Sequence, residues 1–190
     1  MPDAIRIRCL QTIGASEIQG LSEVLIDCVE GGASVSFMLP MPRSKAETFW
    51  NDVSASAARG ERLVLVAEDS SGEIVGTVQV VLQQPENQPH RGDVAKMLVH
   101  RRMRHQGVGA ALLAAAEDSA LAAGKTLLVL DTVTGSDGER LYARNGWQLC
   151  GQIPDYALWP GGGFCATTVF YKFLGRGAAL QEATRVNGTT

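Results

Sequence analysis

The sequence predicts an α/β (α+β) chain built on a central, mixed, mostly antiparallel twisted sheet of about seven strands flanked by helices. Three observations carry this prediction. Strand candidates recur along the chain, the first of them alternating Ile5, Ile7 and Cys9 against polar residues. Asp69-Ser70-Ser71-Gly72 joins two of them as a hairpin. Strands alternate with helices only in the second half, which implies early antiparallel pairing and one parallel crossover about Gly107 to Ala123.

Taken in order, Ala4 to Leu10 alternates Ile5, Ile7 and Cys9 against polar residues, as a half-buried strand does. Ile18, Leu21, Val24, Leu25 and Cys28 then recur at helical spacing, with Ser16 as N-cap and Gly31-Gly32 as the stop. A second helix is expected from Ser44 to Ala58, ending near Gly60, after an apolar but proline-interrupted stretch from Ala33 to Met41. Arg62 to Ala67 and Ile74 to Leu82 form the hairpin, and Asp93 to His100 the next strand. Gly107 to Ala123 is an alanine-rich helix closed by Gly124. Thr126 to Asp131 is a short apolar strand buried on both faces. Asp137 to Asn145 is a helix stopped by Gly146, and Trp147 to Ile153 a strand. Pro154 to Gly163 is a loop, and Ala166 to Leu174 the last strand. Residues 1–175 are therefore expected to form one domain, and 176–190 a loosely ordered tail.

Composition excludes several classes. An apolar fraction of 45% and a charged fraction of 19% over 190 residues describe a globular chain with a substantial core. The net charge of −3 gives no basic excess for nucleic acid. No apolar run approaches the ~20 residues that span a bilayer, and no signal-peptide pattern opens the sequence. Cys9, Cys28, Cys150 and Cys165 form no C-x-x-C pair and are expected as small buried hydrophobes in a reducing, cytoplasmic setting. His90, His100 and His105 are scattered loop or surface residues, so no metal site is expected.

The chemistry concentrates where the strand from Asp93 runs into Arg101-Arg102-Met103-Arg104-His105-Gln106-Gly107-Val108-Gly109-Ala110. This basic, glycine-containing turn opens a helix, whose free N–H groups and positive dipole end attract phosphate. Glycines 107 and 109 let the backbone approach an anion closely, and Arg104 adds positive field. Two other phosphate loops fail on spacing. A P-loop needs Lys and Ser/Thr after its last glycine, where Ala110-Ala111 stand. The dinucleotide fingerprint needs a third glycine at Leu112.

Arg104-x-x-Gly107-x-Gly109 resembles the acetyl-CoA signature R/Q-x-x-G-x-G/A of the GNAT acetyltransferase superfamily. Leu141-Tyr142-Ala143-Arg144-Asn145-Gly146-Trp147 resembles that superfamily's Y-x-x-x-G-F/Y/W corner, and the order of elements fits from Ile5 to Leu174. A narrower likeness, to the bacterial tabtoxin-resistance acetyltransferases, is carried by Val29 to Met38, Leu130-Asp131-Thr132 and Tyr171-Lys172-x-Leu174-Gly175.

The resemblance implies acetyl-CoA as co-substrate and direct transfer of its acetyl group to an amine through a tetrahedral intermediate. It implies that the N–H groups of Gln106, Gly107, Val108, Gly109 and Ala110 hold the diphosphate, with Arg104, His105 and Asn145 beside them. Backbone groups of Met97, Leu98 and Val99 would pair with the pantetheine arm like an added strand, one amide polarising the thioester carbonyl. Either Asp131 or Asp93 would serve as base, or bind the substrate's ammonium group. Asp131 ends an apolar strand, where partial desolvation would raise its pKa. Tyr142 would be the acid, because a phenol of pKa ~10 is protonated at neutral pH and can donate to a departing thiolate.

Gly32, Ser34, Ser36 and Phe37 would close over the acceptor, with Tyr156, Trp159 and glycines 161–163 as a second wall. The expected acceptor is a small-molecule primary amine, including a β-lactam amino-acid toxin, which would make the enzyme a resistance factor. Protein N-termini or lysines, and a non-catalytic acyl-CoA-binding module, are the alternatives. A homodimer is compatible with the superfamily.

Overall fold

The computed structural model describes residues 5–175. The tail expected at 176–190, and the first residue of the strand expected from Ala4, lie outside the described residues. Among the described residues, seven strands form one sheet in the order β1-β2-β3-β4-β5-β7-β6. They are β1 (Arg6–Cys9), β2 (Arg62–Glu68), β3 (Ile74–Val81), β4 (Arg91–Val99), β5 (Leu127–Val133), β6 (Gln148–Leu158) and β7 (Phe164–Phe173). The helices are α1 (Ala15–Glu30), α2 (Arg43–Ala58), α3 (Val108–Ala122) and α4 (Asp137–Arg144). Among the described strands only β4 and β5 pair in parallel, and α3 is the crossover between them.

Side-chain alternation along β2 sorts the core into two layers. Val64 and Val66 pack with Leu21, Val24, Leu25 and Trp50 of α1 and α2. Leu65 and Ala67 pack with Leu112, Leu113 and Ala116 of α3 on the other face. Each fully buried leucine contributes on the order of 1.5–3 kcal/mol relative to exposure, so these layers clamp the helices to the sheet that carries the site.

Three local expectations change. Gly14, not Ser16, caps α1: its N–H donates to Glu17 Oε2 at 3.1 Å, while the Ser16 hydroxyl bonds Glu17. β5 continues two residues past Asp131, because Thr132 and Val133 still pair with β7. β6 runs through Pro154 to Leu158, where a loop is expected from Pro154. Its register shifts between Ile153 and Ala157, and as the edge strand it can hold a proline that has no N–H to give.

Two irregularities position the site. β4 pairs with β5 only at Arg91↔Leu127, Gly92↔Leu128 and Asp93↔Val129, and beyond Asp93 the two strands part. On its other side β4 carries a bulge: Thr77 opposes Leu98 but Gln79 opposes Ala95, so Lys96 and Met97 share one partner position.

Candidate active site

The parting of β4 from β5 opens a cavity of about 760 Å³. Its walls come from Val94 to Val99, the turn into α3, Asp131 to Val133, α4, the α1–α2 loop and the β6–β7 hairpin.

The turn into α3 leaves a row of backbone amides uncommitted. Among the described residues, no acceptor is bonded to the backbone N–H of any residue from His105 to Ala110; the first bonded amide is Ala111, to Gly107 O. Gly107 caps α3 with φ 83°, a left-handed conformation that costs an L side chain roughly 1–2 kcal/mol. Gly109 has a packing reason too: a Cβ there would stand 3.2 Å from Leu141 Cδ2 of α4. Arg104 does not point into open solvent. Its Nε donates to Val99 O at 3.2 Å and its Nη2 approaches Cys28 Sγ at 3.8 Å, which pins the turn to the end of β4. Arg101 is tied to Asp27, and Arg102 to Asp69 and Glu73. Arg144 lines the same end of the cavity with no ion pair among the described residues. Sequence reasoning passed over Arg144, although it stands inside the motif that starts at Leu141.

Met97, Leu98 and Val99 line the cavity along the stretch where the β5 side of β4 has no strand partner. His105, Val108, Ala110 and Asn145 also line it, whereas Gln106 turns away and bonds Arg102 O at 3.0 Å. The Asn145 side chain is occupied locally, its Nδ2 donating to Leu141 O at 2.8 Å.

The two carboxylates separate. Asp131 faces the cavity, is solvent-exposed and not desolvated as expected, and accepts a bond from Thr167 Oγ1 at 2.9 Å. Asp93 lies at the paired end of β4, outside the cavity lining, where it is ion-paired with Arg91 and accepts from Gln84 Nε2 at 2.9 Å. Tyr142 is 5% exposed, packed against Trp147 and Phe170. Its hydroxyl bonds no described residue, and the side chain lines the cavity. Burial, then the charge of Asp131, pushes the phenol above its ordinary pKa, so it stays protonated.

At the acceptor end, Gly32, Ser34 and Ser36 line the cavity, while Phe37 instead packs edge-on against Phe49 at 5.2 Å. Ser34 Oγ donates to Leu158 O at 2.7 Å, and Leu39 N to Pro160 O at 3.0 Å, so the α1–α2 loop is tied to the β6–β7 hairpin. Tyr156 and Trp159 line the second wall; glycines 161–163 do not. Lys96, absent from the sequence expectations, enters between these walls from the β4 bulge.

A seven-stranded mixed sheet whose central parallel pair splays beside an amide-rich helix start is the GNAT fold. Residues 60–149 match the family model of the acetyltransferase (GNAT) domain. That match spans 90 of the 190 residues, and over it the chain is similar to the GNAT acetyltransferase domain. Among solved structures, it is similar to the Salmonella typhimurium protein yncA, solved with its cofactor acetyl-CoA. The TM-score is 0.74 at 19% identity, over 93% of this chain and 97% of that one. An acetyltransferase of the GNAT family from Streptococcus pneumoniae gives 0.73 at 22% identity, over 90% and 100%. The ribosomal-protein-alanine N-acetyltransferase of Brucella melitensis gives 0.71 at 21%, over 90% and 99%. At these identities the likeness speaks for the fold.

Proposed function

We propose that the protein is an N-acetyltransferase that moves the acetyl group of acetyl-CoA to a primary amine of a small molecule by direct attack. The observation that carries this reading is the unpaired edge of β4 leading into six successive amides, His105 to Ala110, that have no acceptor among the described residues. Those amides, with Arg144 nearby, suit the diphosphate of acetyl-CoA. The free side of Val94 to Val99 suits its pantetheine amides, which would add as a strand.

Asp131 is the proton acceptor in this reading. It stands exposed at the open end of the cleft, held by Thr167 and able to take a proton from the substrate ammonium directly or through water. The freed amine adds to the thioester carbonyl, the C–S bond breaks, and the thiolate takes the proton of Tyr142, whose hydroxyl bonds no described residue and is protonated. The second proton of the amine nitrogen returns to the tyrosine oxygen. Holding both substrates in line contributes on the order of 7–11 kcal/mol, more than any single acid or base.

The tie between the α1–α2 loop and the β6–β7 hairpin supports a small acceptor over a polypeptide laid across an open groove. Within small amines we favour amino-acid analogues, including the β-lactam amino acid derived from tabtoxin, which would place the enzyme in toxin resistance in the cytoplasm. Residues 1–175 form the catalytic domain in this reading, and a homodimer is compatible with it.

Thiol release from acetyl-CoA tests the proposal with the β-lactam amino acid, other amino acids, an aminoglycoside, a polyamine and an N-terminal peptide as acceptors. Saturable release with a small amine supports it. Release with the peptide alone would move the acceptor to proteins, and binding of acetyl-CoA without turnover would indicate a non-catalytic module.

A further inference from the structure

Lys96 holds a costly position. It lies in the β4 bulge with φ 50°, in the left-handed region where a glycine would be unstrained. That conformation turns a lysine into the cavity at the acceptor end. Its Nζ donates to Ser36 Oγ at 3.1 Å and lies over the rings of Phe37 and Phe49, 5.9 and 5.8 Å from their centroids. No carboxylate pairs with it among the described residues, because no ion pair within 4.0 Å includes Lys96.

The surroundings deepen the positive character of this corner. Arg62, half-buried and bonded to Ser56 Oγ and the Gln79 side chain, adds a second cation whose charge Lys96 feels. Burial pulls the Lys96 pKa below the ordinary lysine value, and Asp131 opposes that fall across the cavity. A cation partly removed from water without a counter-ion is unfavourable unless something anionic arrives to pair with it. Asp131 faces the same cavity from β5 as an exposed carboxylate held, among the described residues, only by Thr167. One wall thus presents a positive group and the other a negative one, a complement to a small zwitterion.

We propose that Lys96 is the specificity-determining anchor for a carboxylate on the acceptor, so that the enzyme selects amines that also carry an acid group. This rests on the acetyltransferase reading above. Asp131 meets the ammonium end of such a substrate and Lys96 its carboxylate, with Ser36 holding the lysine in place.

The test compares L-amino acids with their α-amides, as acetyl acceptors by thiol release and as ligands of the CoA-loaded protein by calorimetry. It uses the wild type, Lys96→Met and Lys96→Arg. Binding of acetyl-CoA and thermal stability are measured for each protein. The expected result is a wild-type preference for the acids of roughly 10- to 100-fold in kcat/KM, the range of a charge-assisted hydrogen bond. Lys96→Met should erase that preference by raising KM for the acids, leaving the amides and acetyl-CoA affinity little changed, and Lys96→Arg should restore part of it. If acids gain nothing over amides in either readout, or Lys96→Met weakens both equally, the anchor is overturned while the acetyltransferase reading stands. A wild type that binds no acetyl-CoA would overturn both.

Discussion

The two ends of the β4–β5 pair make opposite use of the same strands. At the near end, Arg91 to Asp93 are bonded to Leu127 to Val129, and the carboxylate there is consumed by Arg91 and Gln84. A few residues on, the strands have parted, and the carboxylate on β5, Asp131, has a single hydroxyl partner among the described residues and faces the cavity. The paired end holds the sheet together, and the splayed end leaves backbone and side-chain groups uncommitted. In the proposed mechanism, the reactive groups are the polar ones that the fold leaves unspent.

Replacing the two aspartates breaks or sharpens that contrast with the largest effect. Asp131→Asn should lower kcat/KM for the best acceptor by roughly 10²- to 10⁴-fold, the span of a general base, with little change in melting temperature. Asp93→Asn should cost at most about 1 kcal/mol of stability, as partly exposed ion pairs do, and leave turnover within a few-fold. Steady-state kinetics with urea melts distinguish the two, and equal losses would erase the contrast.

Tyr142→Phe comes next. It removes the uncommitted hydroxyl but keeps the ring against Trp147 and Phe170. A fall in kcat of about 10²-fold, with acetyl-CoA affinity unchanged by calorimetry, is expected; unchanged kcat would end the acid assignment. Gly107→Ala should then weaken acetyl-CoA binding about 10-fold, as a left-handed alanine strains or reshapes the amide turn by roughly 1–2 kcal/mol.

The smallest effect lies in alkaline stability. The Tyr142 pKa is raised in the folded state, so its contribution is complete below pH ~10, where the unfolded phenol is still neutral. It is lost as pH climbs from there toward the folded value, because only the unfolded chain ionises, at up to about 1.4 kcal/mol per pH unit. Denaturant melts above pH 10 should show a shallower fall for Tyr142→Phe than for wild type.

Much of this was legible in the residues. Hydrophobic period and turn chemistry locate all seven strands, because those signals are local. The strand–turn–helix from Asp93 to Ala110 was legible for the same reason: its free amides follow from where a helix begins. The choice between Asp93 and Asp131 was not, since it depends on where the pairing of β4 and β5 ends and on a neighbour, Gln84, outside both strands. Lys96 was invisible because a bulge, not the strand period, aims it, and the bulge exists only in register with β3. The extension of β6 through Pro154 was hidden because a proline on an edge strand and one in a loop look alike in sequence.

Amide hydrogen exchange with and without acetyl-CoA tests the central claim most directly. The account predicts new protection from His105 to Ala110 and on the unpaired side of Val94 to Val99, with little change at Arg91 to Asp93. Protection confined to the paired end, or none in either stretch with acetyl-CoA bound, would contradict it.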